Sequence, residues 1–209
     1  MKKYIIGIDE VGRGALAGRV VVAAVLIPAD LNVEKINFLN LPFRDSKKLS
    51  PRQREWWVKQ LRLGGKIIWA TAGISAGRID KINISRAANM AATNAFLKLV
   101  RKADFTGTSV SRCRVFLDGG LYLDNSKIKD FDFAAETVIR GDENIPAVKL
   151  ASIIAKVIRD QQMVRLNKKY PRYDFHIHKG YGTARHFRTI ARYGVCPEHR
   201  LTFLEKALK

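Results

Sequence analysis

The sequence has few of the features that mark secreted, zinc-binding or membrane-spanning proteins. Its 209 residues include two cysteines, Cys113 and Cys196, which fit neither a disulfide framework nor a Cys-x-x-Cys zinc site. The longest apolar run, 20–27, is far shorter than the ~20 residues of a membrane helix. Asp9 and Glu10 interrupt the start before the apolar stretch of a signal peptide can form. We therefore expect a cytoplasmic protein with no membrane partner.

Acidic residues are scarce as well. There are 19 Asp+Glu against 38 Lys+Arg, which gives a formal net charge of +19 at pH 7. This excess is larger than solubility requires, and it has the sign expected for a polyanionic partner. Nucleic acid is favoured over a small acidic substrate. The alternative is a solvated basic surface that serves solubility alone.

Length and periodicity predict the fold. A chain that is 47% hydrophobic is long enough for one well-buried domain over 1–209, with 184–209 as a C-terminal helical segment. We predict an α/β protein, in which a central mixed sheet with antiparallel first three strands is flanked by helices. The predicted strands lie near 4–8, 20–27, 67–72, 114–117 and 137–139. The predicted helices lie near 51–63, 80–102, 148–167, 184–193 and 201–208.

Three apolar strands lead into acids beside glycine. The first delivers Asp9 and Glu10 to a Gly-Arg-Gly turn, the fourth ends at Asp118, and the fifth runs into Gly-Asp at Asp142. Because the carboxyl ends of neighbouring strands gather at one place, we expect these four acids to meet. The alternative is that each is a solvated turn residue, since Asp is common beside glycine in turns.

The adjacent pair of acids poses a geometric problem. Consecutive residues on a regular strand face opposite sides, so Asp9 and Glu10 reach one site only if the strand ends or bulges there. We expect the following glycines to end it. Carboxylates without supporting Cys or His suit Mg²⁺ or Mn²⁺, and two such ions serve phosphodiester cleavage.

These segments resemble a known family. Asp-Glu-Val-Gly-Arg-Gly at 9–14 is similar to the opening motif of the type 2 ribonucleases H, in the form called ribonuclease HII. The other family motifs follow in order: Asp-Ser-Lys-Lys-Leu at 45–49, the acid after the central strand, Gly-Asp before Ala-Ser-Ile-Ile-Ala-Lys-Val at 151–157, and His-Lys-Gly-Tyr-Gly-Thr at 178–183.

The resemblance implies a ribonuclease H-like fold and a two-metal mechanism with Mn²⁺ or Mg²⁺. Its catalytic metal ligands would be Asp9, Glu10, Asp118 and Asp142. The expected activity is endonucleolytic hydrolysis of RNA in RNA–DNA hybrids, and cleavage 5′ of ribonucleotides embedded in duplex DNA, as in ribonucleotide excision repair. The products would carry a 3′-hydroxyl and a 5′-phosphate.

The resemblance also suggests substrate contacts. A protein distinguishes ribose by its 2′-hydroxyl, so Gly12, Arg13 and Gly14 are expected to read that group by close backbone approach. Tyr181 resembles the family tyrosine that packs on the deoxyribose after the ribonucleotide; the alternative is an ordinary packed tyrosine. Candidate phosphate contacts are Ser46, Lys47, Lys179 and Thr183.

The chain departs from the family pattern at a few positions. Ala15 and Arg19 stand where the family usually has proline, and Lys149 replaces a small hydroxyl residue, which we expect to bring a cation near the site. We expect a monomer. A sliding clamp is a conceivable partner, although no clear clamp-binding peptide is found near the C-terminus.

Two other functions compete with this interpretation. In a non-catalytic nucleic-acid-binding protein the acids would be structural, but four clustered carboxylates would oppose phosphate binding unless metal screened them. A Mg²⁺-dependent DNA nuclease or resolvase on the same fold is the other alternative. The Gly-Arg-Gly segment is the feature that distinguishes the ribonuclease from it.

Overall fold

The fold is built on one mixed sheet. The structure, a computed structural model, describes residues 4–33, 43–105, 113–131 and 133–207. Its strands are β1 Tyr4–Val11, β2 Val20–Pro28, β3 Ile68–Ile74, β4 Cys113–Asp118 and β5 Ala134–Val138. They lie in the order β3-β2-β1-β4-β5. β1, β2 and β3 pair antiparallel, whereas β1 with β4 and β4 with β5 pair parallel. The predicted sheet is confirmed.

Helices cover both faces of the sheet. Their bounds are α1 Pro51–Leu63, α2 Ala76–Ile82, α3 Ile84–Lys102, α4 Asn125–Ile128, α5 Gly141–Asn144, α6 Pro146–Lys169, α7 Phe175–His178, α8 Ala184–Tyr193 and α9 Leu201–Ala207. Short 3₁₀ turns cover Ser46–Lys48 and Pro171–Tyr173. None of the helices in the described residues combines the length and the apolarity that crossing a membrane requires.

Local sequence signals explain where two helices begin. Ser50 and Gln53 form a reciprocal capping box at the start of α1, with Pro51 in the first turn, as the sequence predicts. The predicted single helix over 80–102 is wrong. Asn83 has a φ of 66° and its side chain accepts a hydrogen bond from the amide of Arg86 at 3.0 Å, so it ends α2 and caps α3.

Side chains alternate between two cores. Ile6, Ile8 and Val22 point toward α3, which packs closely because its inward face is largely alanine. Ala23 and Val25 point the other way, toward α1 and α6. Because the sheet is covered on both faces, its interior strand β2 is a continuous apolar run rather than an alternating one.

One glycine sets how closely α6 approaches the sheet. A Cβ built on Gly7 would lie 2.2 Å from the carbonyl carbon of Ala147 and 2.2 Å from the amide nitrogen of Val148. Both are backbone atoms in the first turn of α6, so they cannot move aside independently of the helix. Gly7 therefore lets α6 lie directly on β1, and this contact positions the helix beside the end of the strand.

We predict that Gly7→Ala destabilises the protein by about 1–3 kcal/mol or more, because the methyl group forces α6 away from β1. Gly77→Ala is the matched control: Gly77 lies in α2 with no heavy atom within 4 Å of its built Cβ, so that change should be neutral or stabilising. The measurement is urea unfolding of both variants. Equal stability of the two would contradict the packing argument.

Candidate active site

A cleft of about 420 Å³ lies at the carboxyl ends of β1 and β4. It brings together ten of the twelve predicted site residues: Asp9, Glu10, Gly12, Arg13, Gly14, Ser46, Lys47, Asp118, Asp142 and Tyr181. Val11, Ser152 and Lys156 complete its lining. Segments that are far apart in sequence thus meet at one surface.

The adjacent acids Asp9 and Glu10 lie within a strand that continues past them. The expectation that β1 ends or bulges at the pair is wrong, because its pairing with β2 runs in register through Val11. Its ladder to β4 ends earlier, at Ile8 and Leu117. From Asp9 onward, therefore, one edge of β1 is open, and the two carboxylates reach the cleft from opposite faces of the sheet.

Asp9 is almost completely enclosed, with 4% of its surface exposed. Burial raises its pKa well above the usual value, and the neighbouring charges of Glu10 and Asp118 raise the pKa further. A hydrogen bond from Ser152, on α6, opposes this rise. The Ser152 hydroxyl is also 2.9 Å from that of Ser46, which connects the acid to the 3₁₀ turn at 46–48.

The two carboxylate oxygens of Glu10 differ in their partners. Its Oε1 pairs with the guanidinium of Arg13 at 3.1 Å, while its buried Oε2 has no hydrogen-bond partner among the described residues. Burial raises the pKa of Glu10, and the hydrogen bond and charge of Arg13 oppose that rise. Arg13 is steadied in turn by a 3.3 Å contact with the Ser85 hydroxyl of α3.

Asp118 ends β4 as predicted, but Asp142 does not lie on the end of a strand. β5 stops at Val138, and Asp142 lies in the first turn of α5. Arg140 adopts a left-handed conformation, φ 56°, which turns the chain into that helix. The Asp142 amide is 3.4 Å from Asp118 Oδ1. Burial, followed by the charge of Asp142, raises the pKa of Asp118.

Lys47 supplies a cation to this group. Its ammonium is 3.3 Å from Asp142 Oδ2, although the lysine side chain is 79% exposed. The surrounding turn is held by Arg54, whose guanidinium donates to the carbonyls of Ser46, at 2.9 Å, and Leu49. An exposed lysine on a fixed turn can exchange its carboxylate partner for a substrate phosphate without rebuilding the loop.

The donor set fits a divalent cation. The cleft holds carboxylate oxygens, three of the acids have raised pKa values, and the buried Oε2 of Glu10 is unpaired. A hard cation with oxygen ligands relieves each of these costs. Within the described ranges, no three Asp, Glu, His or Cys side chains are grouped as ready ligands. The carboxylates would rotate toward a bound ion.

The loop after β1 is held by two buried arginines that the sequence analysis missed. Arg159 of α6 donates to the carbonyls of Ala17 and Arg19, and Arg200 donates to those of Gly18 and Arg13. Burial lowers the pKa of Arg200 to about 9, and the nearby positive charge of Arg159 adds to this effect. A cation without a carboxylate partner is costly to bury, so these carbonyls are essential to both side chains.

The two glycines of the Gly-Arg-Gly segment differ in conformation. Gly12 has a φ of +93°, and a Cβ on it would lie 2.3 Å from Arg159 Nε. Gly14 has no such φ, and its built Cβ meets no atom within 4 Å. Gly12 is therefore required by the fold of the loop, whereas Gly14 leaves open space on the cleft side.

Tyr181 lies on a loop that contacts the first one through its backbone. The amides of Leu16 and Ala17 donate to the carbonyl of Gly180, at 2.8 and 3.2 Å. Tyr181 is 36% exposed and lines the cleft. Its ring is therefore available to a ligand rather than packed in the core.

Three buried histidines lie behind the Tyr181 loop. A carbonyl only accepts, so His186 Nδ1 donates to the Tyr181 carbonyl at 3.0 Å. Its Nε2 then accepts from His199 Nε2 at 3.1 Å. His178 Nδ1 accepts from the Gly180 amide at 3.2 Å. Burial lowers the pKa of His186 to about 4, with a further contribution from His178, so His186 supports the loop in its neutral form.

Two predicted substrate contacts lie outside the cleft lining. The Lys179 ammonium donates to the carbonyl of His176 at 2.7 Å and borders a separate groove between α1 and α6. Thr183 caps α8, accepting from the His186 amide at 3.3 Å. Lys149 is also outside the lining; its ammonium lies 4.9 Å from the centre of the Phe43 ring.

Helical spacing could have located the missed residues of α6. Ser152, Lys156 and Arg159 are four and three residues apart along the predicted helix, so they occupy one face of α6. Lys156 pairs with Asp160 at 2.8 Å at the edge of the cleft. An arginine within an apolar helical stretch is itself a signal, because arginine is rarely buried without fixed partners.

Comparison with known proteins places this geometry in a family. A sequence model of the ribonuclease HII family matches residues 6–206. The ribonuclease HII of Acetivibrio thermocellus is 38% identical over 201 residues, which cover 96% of this chain and 70% of that protein. The ribonuclease HII of Endomicrobium trichonymphae is 38% identical over 199 residues, covering 95% and 84%.

Solved structures agree in fold. The PCNA:RNase HII complex from Archaeoglobus fulgidus matches with a TM-score of 0.72 at 23% identity, covering 96% of this chain and 94% of the matched chain. Bst-RNase HIII in complex with Mn²⁺ matches with a TM-score of 0.71 at 19% identity, covering 99% and 70%. At such identities the likeness concerns the fold alone, and it confirms the predicted ribonuclease H-like architecture. Together with the sequence matches, this means that the chain belongs to the ribonuclease HII family and is a ribonuclease H, a metal-dependent endonuclease that acts on RNA–DNA hybrids.

Proposed function

We propose that this ribonuclease H also cleaves on the 5′ side of single ribonucleotides embedded in duplex DNA, leaving a 3′-hydroxyl and a 5′-phosphate. The observation that carries the proposal is the composition of one cleft. Four carboxylates that suit catalysis share it with the open Gly14 position and with Tyr181, a ring able to pack on a sugar. A cleft with both features can select one ribose and act on the adjacent phosphodiester.

Asp9, Glu10, Asp118 and Asp142 are the proposed ligands of two Mg²⁺ or Mn²⁺ ions. When bound, such ions activate the attacking water and stabilise the charge on the leaving oxygen. The chain's own part is to hold the four carboxylates in place. Ser152 donates a hydrogen bond to Asp9, and Arg13 pairs with one oxygen of Glu10. The backbone amide of Asp142 donates to Asp118.

The Gly12-Arg13-Gly14 segment is the proposed ribose reader. Arg200 donates to the carbonyl of Arg13, and Arg159 donates to that of Ala17 further along the same loop, so the segment is presented to the cleft in a fixed position. Because no side chain projects at Gly14, a sugar can approach the backbone closely enough for its 2′-hydroxyl to hydrogen-bond there. A deoxyribose in the same position would lack that contact.

Tyr181 is the proposed reader of the following sugar. Its ring packs on a deoxyribose, and a 2′-hydroxyl there would weaken the packing. Ser46 and Lys47, which line the cleft, are proposed phosphate contacts, as are Lys179 and Thr183 outside its lining. The net charge of +19 supports binding along a duplex.

We propose a monomer, and a sliding clamp is a partner to test, since the Archaeoglobus fulgidus protein forms a PCNA complex.

Asp118→Asn tests the catalytic proposal. The change keeps the shape of the side chain and removes the charge that would hold metal, so we expect cleavage of an RNA–DNA hybrid to fall by at least about 10³-fold. Duplex binding, measured by fluorescence anisotropy without divalent metal, should stay within a few-fold of wild type. Asp130→Asn, an exposed acid outside the cleft, is the control and should cleave normally. Parallel loss of binding and cleavage in Asp118→Asn would indicate a structural role for the acid instead.

Tyr181→Ala tests the junction proposal. Loss of packing on the following sugar should cost roughly 1–3 kcal/mol, which is about 5- to 150-fold in kcat/KM, on a duplex with one ribonucleotide. The loss should be smaller on a continuous RNA strand paired with DNA, where that sugar carries a 2′-hydroxyl. Tyr122→Ala, a 61% exposed tyrosine outside the cleft, should leave both substrates unaffected. An equal loss on the two substrates would make Tyr181 a packing residue of its loop.

A further inference from the structure

Arg159 is a fully buried cation that bonds backbone rather than acids. Its side chain is 0% exposed, and no salt bridge reaches it from the residues that the structure describes. Nη2 donates to the carbonyl of Ala17 at 3.1 Å and to that of Lys179 at 3.0 Å, while Nη1 donates to the carbonyl of Arg19. One guanidinium therefore bonds the loop after β1 and the loop that carries Tyr181.

The two loops also meet through a direct backbone contact. The Gly180 carbonyl accepts from the amides of Leu16 and Ala17. A Cβ on Gly180 would lie 2.5 Å from the Ala17 carbonyl oxygen. The loops thus contact each other directly through their backbones, and the Met163 side chain lies against both Gly18 and Gly180.

Arg159 also touches the parts of each loop that face the cleft. A Cβ on Gly12 would lie 2.3 Å from its Nε, so the guanidinium supports the Gly-Arg-Gly segment from behind. Its Cζ is 6.0 Å from the centre of the Tyr181 ring. The same planar group therefore borders both proposed readers, one for the ribose and one for the next sugar.

We propose that Arg159 is a positioning residue that fixes the spacing between the Gly12-Arg13-Gly14 segment and Tyr181, and thereby the selectivity for a ribonucleotide followed by DNA. This inference rests on the proposed function and adds to it the residue that makes the two readers one unit. Planarity matters here, since an arginine presents several donors in fixed directions and can bond carbonyls of two loops together, whereas a lysine offers one compact ammonium.

Two other buried arginines serve as comparisons, which distinguish this positioning role from a general contribution to stability. Arg200 bonds the carbonyls of Gly18 and Arg13, which belong to the first loop alone. Arg54 bonds the carbonyls of Ser46 and Leu49, in a different part of the cleft. Like Arg159, Arg54 is buried and bonds backbone; it also pairs with Asp160 at 3.6 Å, and it does not connect the two readers.

The test is a double-mutant cycle of Arg159→Lys with Tyr181→Ala, measured as kcat/KM on a one-ribonucleotide duplex and on a continuous hybrid. Arg159→Lys should reduce the preference for the one-ribonucleotide duplex by about tenfold or more. The reason is that a small displacement of one loop prevents the ribose and the following sugar from being contacted at the same time. In that background Tyr181→Ala should cost little, since the ring is already misplaced and the two changes are not additive. Arg54→Lys should lower cleavage of both substrates alike and remain additive with Tyr181→Ala.

Arg159→Gln is the second variant, since it removes the buried charge and cannot span both loops. Each variant is first checked for cooperative thermal unfolding. An unchanged preference, or additive effects of position 159 and Tyr181→Ala in either folded variant, would overturn the inference. Those results leave the proposed function intact as long as Tyr181→Ala alone affects the two substrates differently. If the wild-type chain fails to cleave the one-ribonucleotide duplex, the proposed function itself is overturned.

Discussion

The interaction on which the rest of the site depends is the repulsion among carboxylates held out of water at the ends of β1 and β4. Asp9, Glu10 and Asp118 all have pKa values raised by burial, and each also feels the charge of a neighbouring acid. A protein cannot keep such a group without nearby donors and cations. The surrounding segments supply them: α6 brings Ser152, the turn at 46–48 brings Lys47, and the loop after β1 brings Arg13. The compensation is partial, which leaves the cluster suited to a divalent cation.

The second constraint is the placement of positive charge. A chain with a net charge of +19 exposes most of its cations, yet it buries Arg54, Arg159 and Arg200 among backbone carbonyls. Each bonds carbonyls of a loop beside the cleft, and Arg54 also pairs with Asp160 at 3.6 Å. The loops can therefore be irregular and still rigid, because the carbonyls that lack partners in secondary structure are satisfied by fixed guanidinium groups. The acidic cluster and the loops around it are thereby held in fixed relative positions.

Sequence reasoning located the elements and the acids well, since periodicity and capping are local. The capping box at Ser50, the meander of the first three strands and the helix at 184–193 follow directly from residue patterns. The break at Asn83 was missed because the positive φ of this residue interrupts a continuous apolar stripe without Gly or Pro. The helical position of Asp142 was missed for a similar reason, the left-handed turn at Arg140.

Contacts between segments that are far apart along the chain were the hardest to predict from the sequence. That Asp9 and Glu10 share a cleft while β1 continues depends on where the ladder to β4 stops, which is a property of strand register rather than of composition. Arg159 and Arg200 both bond the loop after β1, which is more than 100 residues away in sequence, and the capping role of Thr183 depends on the start of α8. Only a folded chain brings these groups together.

The most direct test of the central claim is the thermal stability of the wild-type protein and of Asp9→Asn, each with and without Mn²⁺. Without metal, Asp9→Asn should be at least as stable as wild type at neutral pH, because it removes one of the repelling charges. Added Mn²⁺ should stabilise wild type in proportion to RT ln(1 + [Mn²⁺]/Kd) and stabilise Asp9→Asn much less. A wild-type protein whose melting temperature does not respond to Mn²⁺, or a metal-free Asp9→Asn variant that is markedly less stable, would contradict the claim that these acids are held together for a cation.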